Sequence, residues 1–368
     1  MSISNSSAGL GTLDLPVFTS FLTAVVGIIA LCVNVLVAFA YITDRGIRRV
    51  PVNFVFFNLS ISDGMTGINL LNHFIWIQQG ANLLSRYNVL CILWGGWGVA
   101  SVLSSALLVI LISWDRLKMV TDPFKYRQLT RRRVAMQVFV LWIYVLSDVI
   151  VLLLVAPVIT KVLFNHDILI GLCNISSIDS QTAYFSVFID FLIPLTVLIV
   201  INGMIAVRIR LVTVARIERQ RLEIGSTVTS TSEEANVDIP VHVNNVSSII
   251  DAENFQNVRT PEVQQVAMTH YSFRRTQDAS FHLARCEFRK MHKTIKLLLL
   301  FVFVYIMCWF PFYAGLITRN FIYVTPWVMQ MLTLLVGLNA VINPFLYPLM
   351  SNKYRDRLAL MLHPRLRQ

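Results

Sequence analysis

The sequence predicts an all-α membrane protein, a bundle of seven transmembrane helices followed by a short amphipathic eighth helix. Of its 368 residues, 56% are hydrophobic and only 14% are charged, and the mean hydropathy is +0.65. A soluble globular domain with this composition would expose large apolar patches. Seven apolar stretches are long enough to cross a bilayer, because about 20 residues rising 1.5 Å each span roughly 30 Å of hydrocarbon.

The predicted spans are roughly 17–42, 52–78, 88–114, 134–160, 182–207, 295–318 and 325–349. Backbone polar groups in lipid must be satisfied within each span, and this favours helices. The chain then divides into an N-terminus (1–16), spans one to five (17–215), a third cytoplasmic loop (216–288), spans six and seven (289–349), and an eighth helix with a tail (350–368). The polar third loop shows no sustained period and is predicted to be disordered.

The distribution of Lys and Arg predicts the orientation. Only Arg86, Lys161 and Arg319, of 31 basic residues, fall in the loops after spans two, four and six. The positive-inside rule therefore places the N-terminus outside and the C-terminus in the cytoplasm, with the first span as an uncleaved signal anchor. The net charge of +11 fits attraction to anionic lipid; nucleic acid is not an expected partner, because the charges sit in separate short loops.

Four residues on the predicted outer side are candidates for covalent modification. Asn5 and Asn174 each begin an Asn-x-Ser triplet, the acceptor signal for N-glycosylation. Cys91 and Cys173 are the two of five cysteines near an extracellular edge, where thiols oxidise. We expect one disulfide between them, with two free thiols as the alternative.

Each span carries a distinctive residue or short motif. In chain order these are Asn34, Asn58 to Asp63, Asp115-Arg116-Leu117, Trp142, Pro194, Cys308-Trp309-Phe310-Pro311, and Asn343-Pro344-Phe345-Leu346-Tyr347. Together they resemble the rhodopsin-like (class A) G-protein-coupled receptors over nearly the whole chain. The resemblance implies a plasma-membrane receptor that is not an enzyme. Its implied partners are an extracellular small molecule, a heterotrimeric G protein, arrestin and receptor kinases.

Asp63 is an ionisable residue at membrane depth, which is costly and needs polar partners in the bundle interior. Asn34, Ser105, Asn339 and Asn343 are the polar residues that could surround it. The resemblance implies that this cluster binds a sodium ion that favours the inactive state. A hydrogen-bond network without an ion is the alternative. No other cofactor is expected.

Three prolines lie within the later spans. Pro194, Pro311 and Pro344 each remove a helical hydrogen bond and allow a bend. Beside Trp309 and Tyr347 they resemble the switch by which span six swings outward in the family.

The cytoplasmic end of span three resembles the family's G-protein contact. The resemblance implies that Asp115 holds Arg116 at rest and that the arginine reaches the G protein on activation. Here Leu117 replaces the usual aromatic residue, and Met291 stands where an acid could hold the arginine from span six, so some basal activity is expected. Phe124, in the following loop, resembles the side chain that docks into the G protein.

The segment 352–358 reads as an amphipathic surface helix with no cysteine after it, so palmitoylation is not expected there.

The ligand site resembles that of the histamine receptors. Asp190, four residues before Pro194, matches the acid in span five of one histamine branch, and Trp94 also fits. Amine receptors carry an aspartate 18 residues before the arginine of span three, and here that position is Gly98. An amine that loses a buried charge partner forfeits several kcal/mol.

The outer half of the bundle still offers anchoring groups. Asp190 and Asp148 could hold a cation, beside Trp309, Phe312 and Tyr313. Asp148 could equally pair with a neighbouring helix, and Gly98 could serve close packing or make room for a larger ligand.

Other protein classes fit less well. An opsin needs a lysine in span seven, and 325–349 contains none. No internal repeat indicates a transporter, and no nucleophile and base have the spacing of an enzyme site. The alternative is a class A receptor for a lipid or peptide, or a receptor-like heteromer partner without its own amine ligand.

Overall fold

The computed structural model describes residues 15–79, 88–155, 184, 186–234, 296–297 and 299–362. Within these residues the regular structure is helical. We label the seven long helices and the last short one α1 to α8. They are α1 Leu15–Thr43, α2 Asn53–Gln79, α3 Asn88–Thr121, α4 Arg131–Ile150, α5 Ile193–Glu234, α6 Leu299–Thr318, α7 Pro326–Met350 and α8 Asn352–Leu362. Two short helices, Arg45–Arg48 and Pro123–Arg127, lie between the long ones.

Among the described residues, six helices are long and apolar enough to cross a membrane: α1 and α3 to α7. Helix α2 has 27 residues, a sufficient length, but it is interrupted by polar residues. Asn58, Ser62 and Asp63 on α2 are all buried in the bundle. These polar side chains make α2 less hydrophobic than the other long helices. The neighbouring helices cover them, so they do not face lipid.

The surface and the interior have the polarity expected for a membrane protein. Large apolar side chains such as Phe21, Phe39 and Phe303 are more than half exposed, at 62%, 54% and 57%. Asp63 and Asn34 are buried, at 0% and 1% exposed. Lipid solvates the outer face, and polar groups therefore gather between the helices.

Close approach of α1 and α2 depends on glycine. A Cβ added to Gly67 would lie 2.9 Å from the Gly27 carbonyl oxygen and 2.9 Å from the Leu31 nitrogen. Small residues at such a crossing let two backbones touch, which is how membrane helices gain packing energy without a hydrophobic driving force.

Hydrogen bonds connect α2 to α3 and to α4. The Ser62 hydroxyl donates to the Ser101 carbonyl at 2.9 Å and lies 2.7 Å from the Ser104 hydroxyl. The Trp142 indole donates to the Asn58 side-chain oxygen at 3.1 Å. These bonds explain why α2 is polar where it meets its neighbours.

The fifth helix is longer than the sequence predicts. Helix α5 runs from Ile193 to Glu234, past the start of the predicted third loop at residue 216. Residues 215–223 are rich in Ala, Arg, Gln, Glu and Leu, which favour helices even without an apolar stripe. Residues 235–288 of the predicted loop lie outside the described structure.

The amphipathic eighth helix is present, as predicted. Tyr354 on α8 is completely buried, and its hydroxyl donates to the Asn53 carbonyl at 3.5 Å. The Lys353 ammonium donates to the Gly46 carbonyl at 3.1 Å. These contacts fix α8 against the start of α2 and the short helix that precedes it.

Candidate functional site

Asp63 lies at the centre of a polar cluster. It is 0% exposed, and its carboxylate accepts hydrogen bonds from the Ser105 hydroxyl at 2.9 Å and from the Asn343 amide at 3.0 Å. The structure thus brings together Asp63, Ser105 and Asn343, three of the five residues that the sequence analysis places in this polar cluster. Asn339 is also buried, one turn earlier on α7.

Asn34 has a different role from the one suggested by its sequence position. Its amide donates to the carbonyls of Ala30 and Ala340 at 2.8 and 2.9 Å, so it ties α1 to α7 and is not hydrogen-bonded to Asp63. Its side-chain oxygen is buried without a partner among the described residues. The described partners of Asp63 are hydrogen-bond donors, the Ser105 hydroxyl and the Asn343 amide nitrogen, as in the network without an ion that the sequence analysis gives as the alternative.

Near the C-terminal end of α3, Asp115 accepts a hydrogen bond from a tyrosine. The carboxylate, 7% exposed, accepts a hydrogen bond from the Tyr126 hydroxyl at 2.9 Å. Burial, together with the Asp115 charge, raises the pKa of Tyr126 above its ordinary value, so the phenol stays protonated and donates. Among the described residues Arg116 has no carboxylate within ion-pair distance. Its Nη1 donates to the Met119 sulfur at 3.8 Å, and its Nε is buried without a partner.

Phe124 projects from the short helix Pro123–Arg127 and is 79% exposed. Asp122 caps this helix by accepting the Lys125 backbone N–H at 3.1 Å. That bond, with the Lys125 ammonium beside it, lowers the pKa of Asp122. The cap therefore remains charged at neutral pH and is lost only as acid protonates the carboxylate.

An aromatic cluster joins α6 to the start of the fifth span. Trp309 is 4% exposed, and its ring centroid is 6.0 Å from Tyr305 and 6.0 Å from Tyr313. Phe191 stacks on Tyr313 at 5.0 Å, and Phe312 meets Tyr313 edge-on at 5.3 Å. The predicted ligand-site residues of α6 thus form one packed group.

Asp190 lies beside this cluster, in a π-helical turn at Val187–Leu192. It is 8% exposed, and the Ser186 hydroxyl donates to its carboxylate. The Tyr305 hydroxyl donates to the Asp190 backbone carbonyl at 3.3 Å. Asp148, partly buried on α4, is close enough to repel Asp190 electrostatically.

Gly98 lies on α3, next to α2. A Cβ on Gly98 would lie 3.1 Å from the amide nitrogen of Asn69, on α2. Gly98 therefore lies in close contact with the Asn69 side chain. Trp94 is partly buried one turn farther out, and the Trp97 indole donates to the Met65 carbonyl at 3.0 Å.

Sequence reasoning missed Asn69, Tyr126 and Tyr305 as site residues. Asn69 follows Asp63 on the same polar helix, and this was a usable signal. Tyr126 lies beyond the end of α3, so no helical spacing relates it to Asp115. Some predicted residues fall outside the described structure: Asn5, Asn174, Cys173, Met291 and the side chain of Cys91.

Most of the chain is similar to known membrane receptors. The family described as "7 transmembrane receptor (rhodopsin family)" matches residues 33–347. The chain is 25% identical to the D(1B) dopamine receptor of Xenopus laevis, over 76% of this chain and 53% of that receptor. It is 23% identical to the 5-hydroxytryptamine receptor 1A-alpha of Takifugu rubripes, over 95% of this chain and 90% of that receptor.

A third relative matches a shorter stretch. The muscarinic acetylcholine receptor M3 of Bos taurus is 27% identical over 34% of this chain and 21% of its own length. The chain thus spans about half of the dopamine receptor and a fifth of the muscarinic receptor. The family match covers most of the chain and agrees with the helical bundle. The chain therefore belongs to the rhodopsin family of seven-transmembrane receptors.

Proposed function

We propose that this receptor binds histamine or a related biogenic amine in the outer half of its bundle and activates a heterotrimeric G protein. The observation that carries the proposal is the position of Asp190, a buried carboxylate next to the Trp309 aromatic cluster. No Lys or Arg among the described residues forms an ion pair with Asp190. A buried carboxylate is costly without a cationic partner, and an ammonium or imidazolium would supply one.

The aromatic cluster offers a route from the ligand to α6. A cation at Asp190 would approach Tyr305, which bonds to the Asp190 backbone, and Tyr305 packs against Trp309. Pro311 follows in the same helix, where a bend is cheap because the proline removes a helical hydrogen bond. The ligand activates the receptor only to the extent that it binds the outward conformer of α6 more tightly than the resting one.

At the cytoplasmic end, Arg116 and Phe124 are the proposed G-protein contacts. Arg116 is not restrained by an ion pair within the described residues, and Phe124 is already exposed. A weakly held arginine supports the expectation of basal activity. Asp115 and Tyr347 would act as positioning residues, the first through Tyr126 and the second through its stacking on Phe56 at 5.0 Å.

We also propose a regulatory sodium ion at Asp63. The carboxylate would hold the ion, and the hydroxyl oxygen of Ser105 with the side-chain oxygens of Asn339 and Asn343 would supplement it. An ion there would favour the resting arrangement of α2, α3 and α7.

As a rhodopsin-family member the chain is a multi-pass membrane receptor of the cell surface and not an enzyme. We propose an extracellular N-terminus, glycans on Asn5 and Asn174, and a disulfide between Cys91 and Cys173. Arrestin and receptor kinases are the further proposed partners, with 216–288 as the third cytoplasmic loop.

The test uses cells that display epitope-tagged receptor, challenged with histamine, serotonin, dopamine and acetylcholine while G-protein activation is recorded. We expect a response to at least one amine that Asp190→Asn abolishes at equal surface expression. Asp356→Asn is the matched control, because Asp356 is exposed on α8 and pairs with Arg355 at 3.2 Å. An unchanged dose-response curve in Asp190→Asn contradicts the anchoring role.

Gly98 favours a second candidate function. Without a carboxylate at that position, the receptor would take a lipid or peptide, or would act as a heteromer partner that tunes another receptor. Silence toward every amine with normal surface display supports this candidate over the first.

A further inference from the structure

Asn69 fills the space next to Gly98, where the amine receptors described above carry their aspartate. Its side chain meets the direction in which a Cβ on Gly98 would point, with Nδ2 at 3.1 Å, Cγ at 3.8 Å and Oδ1 at 3.9 Å. The carboxamide of a neighbouring helix therefore occupies much of the volume that an aspartate at position 98 would need.

The Asn69 side-chain oxygen is buried and has no hydrogen-bond partner among the described residues. A buried carbonyl oxygen without a donor costs about 1–3 kcal/mol, so such groups usually have a partner, which can be a ligand. A carboxamide has nearly the shape of a carboxylate but no charge. It accepts a hydrogen bond from a neutral donor and does not neutralise an ammonium.

We infer that the wall formed by α2 and α3 recognises an uncharged hydrogen-bond donor of the ligand through Asn69 Oδ1. This inference rests on the proposed amine function, because the cation then binds at Asp190 on another wall. The ligand is therefore reversed in the site relative to an amine whose ammonium binds an aspartate on α3. Its ammonium faces the fifth span, and its ring hydroxyl or ring N–H faces Asn69.

The experiment compares dopamine with phenethylamine, which has the same ethylammonium chain but no ring hydroxyls. In the wild-type receptor we expect dopamine to be about tenfold more potent, the equivalent of one hydrogen bond of about 1.4 kcal/mol. Asn69→Leu has similar size and no polar atoms, so it should reduce the potency ratio to near one. Thr66→Val is the matched control on the same helix, because among the described residues the Thr66 hydroxyl bonds to the Ser62 carbonyl of its own helix, at 3.4 Å.

Asn69→Asp tests the same site with the charge restored. A carboxylate there should raise phenethylamine potency about tenfold or more, and the response should no longer depend on Asp190. If Asn69→Leu does not reach the cell surface, Asn69→Ala takes its place. A dopamine preference that survives removal of the Asn69 amide overturns the inference.

The two proposals fail in different ways. A wild-type receptor that is displayed normally but silent to histamine, serotonin, dopamine, acetylcholine and phenethylamine contradicts the proposed amine function. In that case Asn69→Asp decides the inference: an acquired amine response supports a ligand-facing Asn69, and continued silence overturns it.

Discussion

Tyr126 donates its phenolic hydrogen to the Asp115 carboxylate across 2.9 Å and so joins the short helix Pro123–Arg127 to the end of α3. The bond occupies a carboxylate that would otherwise be available to Arg116. It also sets the position of the loop helix that presents Phe124.

Tyr126→Phe should lower basal G-protein activation several-fold. Removing the hydroxyl frees Asp115 to pair with Arg116, and it loosens the loop helix, so both effects oppose coupling. A hydrogen bond to a charged group contributes about 1.5–3 kcal/mol. Basal nucleotide exchange in membranes with equal receptor content measures the effect. Exchange equal to or above the wild-type value would refute this role for the bond.

Phe124→Ala should reduce agonist-stimulated coupling at least tenfold without affecting folding. The side chain is 79% exposed, so truncating it removes little packing within the receptor. An exposed aromatic residue is a frequent anchor at protein interfaces. Stimulated nucleotide exchange and the melting temperature of the purified receptor should be measured together. A parallel loss of thermal stability would show that Phe124 has a structural role instead.

Replacing sodium with potassium at constant ionic strength should raise basal nucleotide exchange. The sodium ion at Asp63 would stabilise the resting conformer, so its removal shifts the population toward the active one. In Asp63→Asn the exchange rate should no longer depend on which cation is present. A variant that responds to sodium as the wild type does would exclude Asp63 as the ion's ligand.

Gly67→Ala should destabilise the receptor by about 1–3 kcal/mol, because overpacking forces two backbones apart. The added Cβ would lie 2.9 Å from backbone atoms of Gly27 and Leu31, which cannot rotate away. Gly203→Ala is the matched control, because a Cβ there meets nothing within 4 Å. Melting temperatures in detergent should fall for the first variant and hold or rise slightly for the second. Equal melting temperatures would count against a tight crossing.

The sequence predicts the helices well because lipid imposes a length and an apolar composition on each span. The eighth helix is equally predictable from the sequence, because its polar and apolar residues recur with helical period after α7 ends. The end of α5 is harder to predict. Residues beyond 215 are polar whether they form a solvated helix or a loop, so composition alone does not separate the two states.

The candidate site could be predicted only in part. Asp63, Ser105 and Asn343 are recognisable because polar residues inside a membrane need one another. The partners Tyr126 of Asp115 and Asn69 of Gly98 depend on how separate helices meet, which no spacing along one helix encodes. Gly98 is an example of this limit. Its sequence position suggests a missing charge, and only the packing of α2 on α3 shows that the Asn69 side chain lies beside it.

The π-helical turn at Val187–Leu192 alters how the fifth span can be aligned with its relatives. A π turn contains one residue more than an α turn, and one residue corresponds to a rotation of about 100° around a helix. A position counted back from Pro194 through this turn therefore faces a different direction from the same count in a regular helix. Deleting one residue from 187–189 would rotate the extracellular end of the span while leaving Asp190 in register with Pro194. Conversely, an acid at the matching sequence offset in a receptor with an uninterrupted fifth helix would point toward a different neighbour.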